Sequence, residues 1–198
     1  EMTASCLVKI DLHGNICSET PYFINPAGFT IHSAIHAARH DAVCVIHVHT
    51  PYGVAVSVQN DGLRRYTQFA MTVCNDLAYH DYEGIALNHD ERARLIASLG
   101  PSLRALVLRN HGLLTVGRSV SEACILMINL ERACRVQMAI QGSGQTTYPL
   151  SADVCELTAK QYEAGDANRR PGMPDSYARE WTAMLQRLEP AAPTSFRD

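Results

Sequence analysis

Two periods of apolar residues divide the chain into strands and helices. Leu7-Val8-Lys9-Ile10 and Ile16-Cys17 flank the turn signal Leu12-His13-Gly14-Asn15 and predict a hairpin, with His13 solvated on its turn. Unbroken β-rich runs at 42–46, 105–108 and 113–116 predict buried strands, and 73–79 a more irregular one. Between them the apolar period lengthens to that of a helix. Helices are expected from Ile31 to about His40 with Thr30 as cap, and from Tyr52 to Val58, with a helical turn at 68–71. Capping boxes at Asn88 with Glu91 and at Ser119 with Glu122 open two more, which run to Leu99 and to about Ile140. Ser151 caps a helix to Ala164, and a polar connector from Gly165 to Asp175 leads to a last helix, 177–188, with Trp181, Leu185 and Leu188 on its apolar stripe. Ala123, Leu126, Met127, Leu130, Ala133 and Cys134, broadened by Ile125, Ile128 and Val136, make the longest helix apolar over a wide surface. Such a helix is either central or pressed against another subunit.

Strands alternating with helices in 198 residues, 46% of them hydrophobic, suit one large α/β domain rather than two small ones. No apolar run reaches about 18 residues, which argues against a membrane span. The formal net charge of -3, with Lys and Arg scattered, argues against nucleic acid or an anionic membrane as main partner. Seven cysteines, an odd number with no Cys-x-x-Cys pair, read as reduced thiols of a cytoplasmic protein. The start Glu1-Met2 shows no signal-peptide pattern and reads as a point inside a longer protein whose opening segment is absent.

The candidate chemistry lies at strand ends. His47 and His49 are two residues apart after the 42–46 run, so they project from one side, roughly 6 to 7 Å apart at Cα. A third imidazole, His111 in Asn110-His111-Gly112, separates the other two strands. Three such groups can hold a divalent metal with positions left open for substrate; the pair alone can equally be two hydrogen-bonded side chains. His32, His36 and His40 share one helix face, but the outer two are about 12 Å apart along it, so only His32 is expected beside the site. Tyr79-His80-Asp81-Tyr82-Glu83-Gly84 clusters titratable groups at another strand end, either as a site or as a solvated loop. Glutamate at zinc-protease spacing, a Gly-rich phosphate loop and a serine nucleophile elbow are all missing. Lewis-acid chemistry survives: a cation chelating a hydroxy-carbonyl fragment and stabilising an enediolate.

The segments Asn25-Pro26-Ala27-Gly28-Phe29-Thr30-Ile31-His32, Val45-Ile46-His47-Val48-His49-Thr50-Pro51, Ala78 to Gly84, Leu99-Gly100-Pro101 and Leu108-Arg109-Asn110-His111-Gly112-Leu113 closely resemble, in order, the class II aldolase/adducin family. The resemblance runs from about Leu7 to Gln141. It implies an α/β fold, a three-layer α/β/α sandwich around a mixed, mostly antiparallel sheet, in residues 1–145, with 146–198 as a C-terminal helical extension and tail. It further implies His47, His49 and His111 as metal ligands, zinc as the first metal with manganese or iron as alternatives, a homotetramer, and a hydroxy-carbonyl or sugar-phosphate substrate. The family's sugar-phosphate aldolases carry a metal-ligating, proton-transferring glutamate where this chain has Gly28. That departure transfers the acid/base role to Glu83 first, then Tyr82, with Asp81 and His80 as further candidates. The Ala27-Gly28-Phe29 pattern also resembles the adducin head, regarded as non-enzymatic, so the alternative to a metal-dependent lyase is an oligomeric assembly module.

Overall fold

The computed structural model describes residues 2–86, 90–167 and 172–188. Among these residues, β1 (Cys44–Val48), β2 (Leu77–His80), β3 (Ala105–Leu108) and β4 (Gly112–Gly117) form one sheet in the order β1-β4-β3-β2. The β1/β4 and β3/β4 pairs are antiparallel and β2/β3 is parallel, so the sheet is mixed and mostly antiparallel.

Alternation along the strands explains why apolar runs, rather than apolar/polar repeats, encode this sheet: both of its faces are covered. Val45, Leu106, Leu108, Leu114 and Val116 point to one face, against Ile31 and Ile35 of α1 (Pro26–Ala38) and Leu95 and Leu99 of α4 (Glu91–Leu99). Ile46, Val48, Ala105, Val107 and Leu113 point to the other. There they meet Val56 of α2 (Pro51–Ser57) and Leu126, Leu130 and Ala133 of α5 (Val120–Gly142). Three layers result. Each fully buried Leu or Ile contributes about 1.5–3 kcal/mol, so the sheet is the principal source of cohesion. The long apolar helix is central: α5 packs on β4 and β1 and carries α2, α3 (Gln68–Met71) and α7 (Ser176–Leu188) on its other sides.

Several boundaries depart from the sequence expectation. Helix α1 begins at Pro26, not after Thr30. The Asn25 side chain accepts from the Ala27 amide at 3.0 Å and Pro26 occupies the first helical position, where no N–H is required. Thr30 lies inside the helix, its hydroxyl donating to the Pro26 carbonyl at 3.1 Å. Gly28 is therefore a residue of the first helical turn, not of a loop. Strand β1 begins two residues late and takes His47 into the ladder. The irregular strand at 73–79 resolves into a 3-10 turn at 74–76 followed by β2, because pairing with β3 starts only at Leu77 opposite Ala105. The N-terminal hairpin is reduced to a single bridge, Ile10 to Ile16, with His13 exposed. Asn88 of the expected capping box lies outside the described residues.

The C-terminal extension follows its caps. Ser151 accepts from the Val154 amide at the start of α6 (Ala152–Ala167), which meets α3. Asp175 accepts from the Ala178 amide at the start of α7, which lies on α5. All seven cysteines are free thiols, and no described helix is long and apolar enough to cross a membrane.

At the end of the sheet away from the histidines, Arg104 ties the layers together through ion pairs with Asp76 and Glu122, and Arg118 adds another to Glu122 at 3.0 Å. Burial opposes ionisation of Glu122, but the hydrogen bonds from Arg118 and Arg104 outweigh it and hold the carboxyl below the usual carboxylate range. Its contribution is complete above the unfolded carboxylate pKa of about 4.3 and is lost as pH falls through the lower folded value. Glu122→Gln is expected to cost about 2 kcal/mol in urea unfolding near neutral pH, with the gap to wild type narrowing on acidification below about pH 4.

Candidate metal centre

The site assembles where the C-terminal end of β1 meets the β3–β4 hairpin. His47 pairs with Leu114 across the β1/β4 ladder, and its ring turns back so that Nδ1 lies 2.9 Å from the Leu113 carbonyl. A carbonyl only accepts, so Nδ1 carries the proton and the lone pair of Nε2 faces outward. His49 stands just beyond the strand, its Nε2 2.9 Å from that of His47. His111 is the last residue of the three-residue connection between β3 and β4.

The Asn-His-Gly triplet has a local explanation. Asn110 adopts φ 56°, a left-handed conformation that asparagine tolerates better than most residues. A Cβ on Gly112 would stand 2.4 Å from the Val48 carbonyl oxygen and 3.1 Å from Cδ2 of His49, so only glycine lets the hairpin close on the strand bearing the first two imidazoles. The Arg109 amide donates to the His80 carbonyl at 2.8 Å, joining the hairpin to the end of β2.

The ligand-competent nitrogens of His47, His49 and His111 all lie within 4.8 Å of one another, and the rings are 4.6 to 4.7 Å apart at their centroids. One cation at about 2.1 Å from each nitrogen fits such a set. Burial, reinforced by the neighbouring imidazoles, pushes His111 down to about 4. Burial also lowers His47, against the opposing Leu113 hydrogen bond. Both rings are thus neutral near pH 7, the form that ligates a metal. A hydrogen bond shared by His47 and His49 accounts for two of the rings but not for the convergence of the third. His32 lies close enough for its charge to be coupled to that of His47, and burial lowers its pKa first. His40 is exposed.

Tyr82 and Glu83 border the same place. They line a small crevice with Ile31, His80 and His111, and the Tyr82 ring lies 6.5 Å from that of His111. Both oxygens of Glu83 are held by Arg94, at 2.7 and 2.5 Å, and this pairing keeps the carboxyl below its usual range. His80 is buried, with Nδ1 3.0 Å from Ser98 Oγ and Nε2 3.5 Å from Glu91. Gly28 has room for a side chain: an added Cβ would meet only Asn25 Cβ, at 3.9 Å. Sequence reasoning missed the Leu113 carbonyl, Arg94, and a contact between Thr50 and Glu131. A backbone acceptor leaves no mark in the residue type, and the last two partners are remote in sequence.

The sequence model of the family described as Class II Aldolase and Adducin N-terminal domain matches residues 1–138. A relative described as a putative aldolase class 2 protein, from Pseudomonas aeruginosa, is 45% identical over 193 residues, covering 98% of this chain and 73% of its own. Mouse alpha-adducin is 39% identical over 196 residues, covering 96% of this chain but only 26% of its own length. The solved structure of L-fuculose 1-phosphate aldolase from Glaciozyma antarctica superposes with a TM-score of 0.76 at 28% identity, over 100% of this chain and 73% of that one.

Gly112→Ala is expected to lower stability by roughly 1–3 kcal/mol, since the backbone of β1 or β4 must shift to admit the methyl group. A thermal melt measures the loss. Ala at Gly28, where the space is open, serves as the control and should change stability by under about 1 kcal/mol.

Proposed function

The chain belongs to the class II aldolase and adducin N-terminal domain family, and on that premise we propose that it is a metal-dependent lyase acting on a small hydroxy-carbonyl compound, with sugar phosphates as the first class to test. The observation that supports it best is the convergence of three imidazole nitrogens, one of them aimed by the Leu113 carbonyl. His47, His49 and His111 would hold the cation, zinc first and manganese or iron as alternatives. Bound there, a divalent ion supplies Lewis acidity toward the oxygens of the substrate.

The remaining work falls to side chains of the crevice. Tyr82 offers a phenol beside His111 that can give a proton to a substrate oxygen or take one from it. Glu83 is the carboxylate of the pair; Arg94 keeps it ionised, and it accepts a proton only as that pairing loosens. We further propose a homotetramer, following the family resemblance, and a cytoplasmic location, following the seven free thiols.

A second reading has its own observation. Gly28 replaces the family glutamate, and the chain shares 39% identity with alpha-adducin, which favours a non-catalytic assembly module. Gly28→Glu separates the two readings, and the position admits a Cβ with no neighbour closer than Asn25 Cβ at 3.9 Å.

Protein purified without chelator is expected to hold about one divalent metal per chain by elemental analysis, and His49→Ala or His111→Ala to lose it. Protein that carries no metal and takes up none on dialysis against zinc or manganese refutes the lyase reading. In aldol-cleavage assays with hydroxy-aldehydes, ketoses and their phosphates, Gly28→Glu should equal or exceed the wild-type rate, while Tyr82→Phe should lose roughly 10²-fold or more. No turnover in wild type or Gly28→Glu, with an oligomer unchanged in His47→Ala/His111→Ala, establishes the assembly module instead.

A further inference from the structure

The segment leaving β1 after His49 is fastened to α5, and the fastening uses a residue with another local role open to it. Thr50 occupies the N-cap position of α2, where threonine ordinarily accepts from a backbone amide, yet its side chain makes no such bond. Its hydroxyl donates instead to Glu131 Oε2, at 2.5 Å, across 81 residues of sequence. A hydroxyl bonded to a carboxylate is shorter and stronger than a neutral pair, and this one joins two helices. A second tie runs alongside it: the Arg135 guanidinium, one turn along α5 from Glu131, lies 5.8 Å from the centre of the Tyr52 ring. Gly53 completes the seat, since a Cβ there would come within 2.6 Å of Leu113 Cδ1. The Leu113 carbonyl is the group that orients His47. The start of α2 is thus locked between α5 and the strand that aims one ligand, immediately after the residue that supplies another.

We propose that Thr50 and Glu131 form a positioning clamp for the His47/His49 pair, acting on metal retention without touching the metal. The clamp rests on the metal reading above. Neither residue supplies a ligand: the sequence step from His49 to Thr50 makes any movement of the helix start a movement of the His49 backbone. Groups that orient metal ligands typically change affinity by about 10- to 100-fold when removed.

The test is the rate at which full-length, zinc-loaded protein gives up its metal to an excess of chromogenic chelator. Thr50→Val keeps the shape and removes the donor; Glu131→Gln removes the acceptor charge. Each is expected to release zinc about 10-fold faster than wild type or more, Thr50→Ser to behave as wild type, and the Thr50→Val/Glu131→Gln double variant to be no faster than the faster single. Recovery in Thr50→Ser and the lack of additivity are readouts that general loosening of the fold would not produce. Should Thr50→Val fail to fold, Glu131→Gln and Thr50→Ser decide the question by the same rates. Release at the wild-type rate in Glu131→Gln, or strictly additive acceleration in the double variant, overturns the clamp while leaving the metal reading intact. Wild-type protein that takes up no zinc overturns the metal reading and the clamp with it.

Discussion

The carbonyl of Leu113 decides which nitrogen of His47 carries the proton, and the geometry of the site follows from that choice. With Nδ1 committed to the backbone, Nε2 faces His49 and His111. The carbonyl is where it is because β1 and β4 pair antiparallel with His47 opposite Leu114. A slip of one residue in that ladder would turn His47 to the α5 face and replace it with Val48. Register is therefore a chemical constraint as well as a packing one. It is enforced by the two apolar layers, which accept Val45 on one side and Ile46 and Val48 on the other.

Helix α5 extends the same logic through the second layer. Its apolar residues cover β4 and β1, Glu131 reaches Thr50 beside the histidines, and Glu122 joins Arg104 and Arg118 at the opposite end of the sheet. One helix thus supports the strands beside the histidines at one end and closes an ion-pair network at the other. Its breadth of apolar surface, ambiguous in isolation, is explained by the sheet and the three helices it contacts.

Position 28 distinguishes this chain's sequence as much as the imidazole cluster does. It is a glycine in the first turn of α1, where an added Cβ would meet only Asn25 Cβ, at 3.9 Å. At the imidazole cluster, burial is the first cause that lowers the pKa values of His47 and His111 and keeps those two rings neutral near pH 7. The loop after β2 borders the imidazoles, with the Tyr82 ring 6.5 Å from that of His111 and Glu83 held by Arg94.

By itself the sequence determined the sheet and the candidate ligands. Unbroken apolar runs at 105–108 and 113–116 require strands buried on both faces, and an imidazole at every second position of a strand end must share a side. The Ser119/Glu122 and Ser151 caps set helix starts that hold in the fold, because capping depends on residues within one turn. The start of α1 was equally local, written in Asn25-Pro26, but Thr30 offered a competing cap of the same residue class. Tertiary structure alone decided the rest. The strand order β1-β4-β3-β2, the Leu113 acceptor, the Arg94 partner of Glu83 and the Glu131 partner of Thr50 all join groups far apart in sequence. Periodicity and capping describe neighbours along the chain; which remote carbonyl or carboxylate a side chain meets is set by how the layers pack.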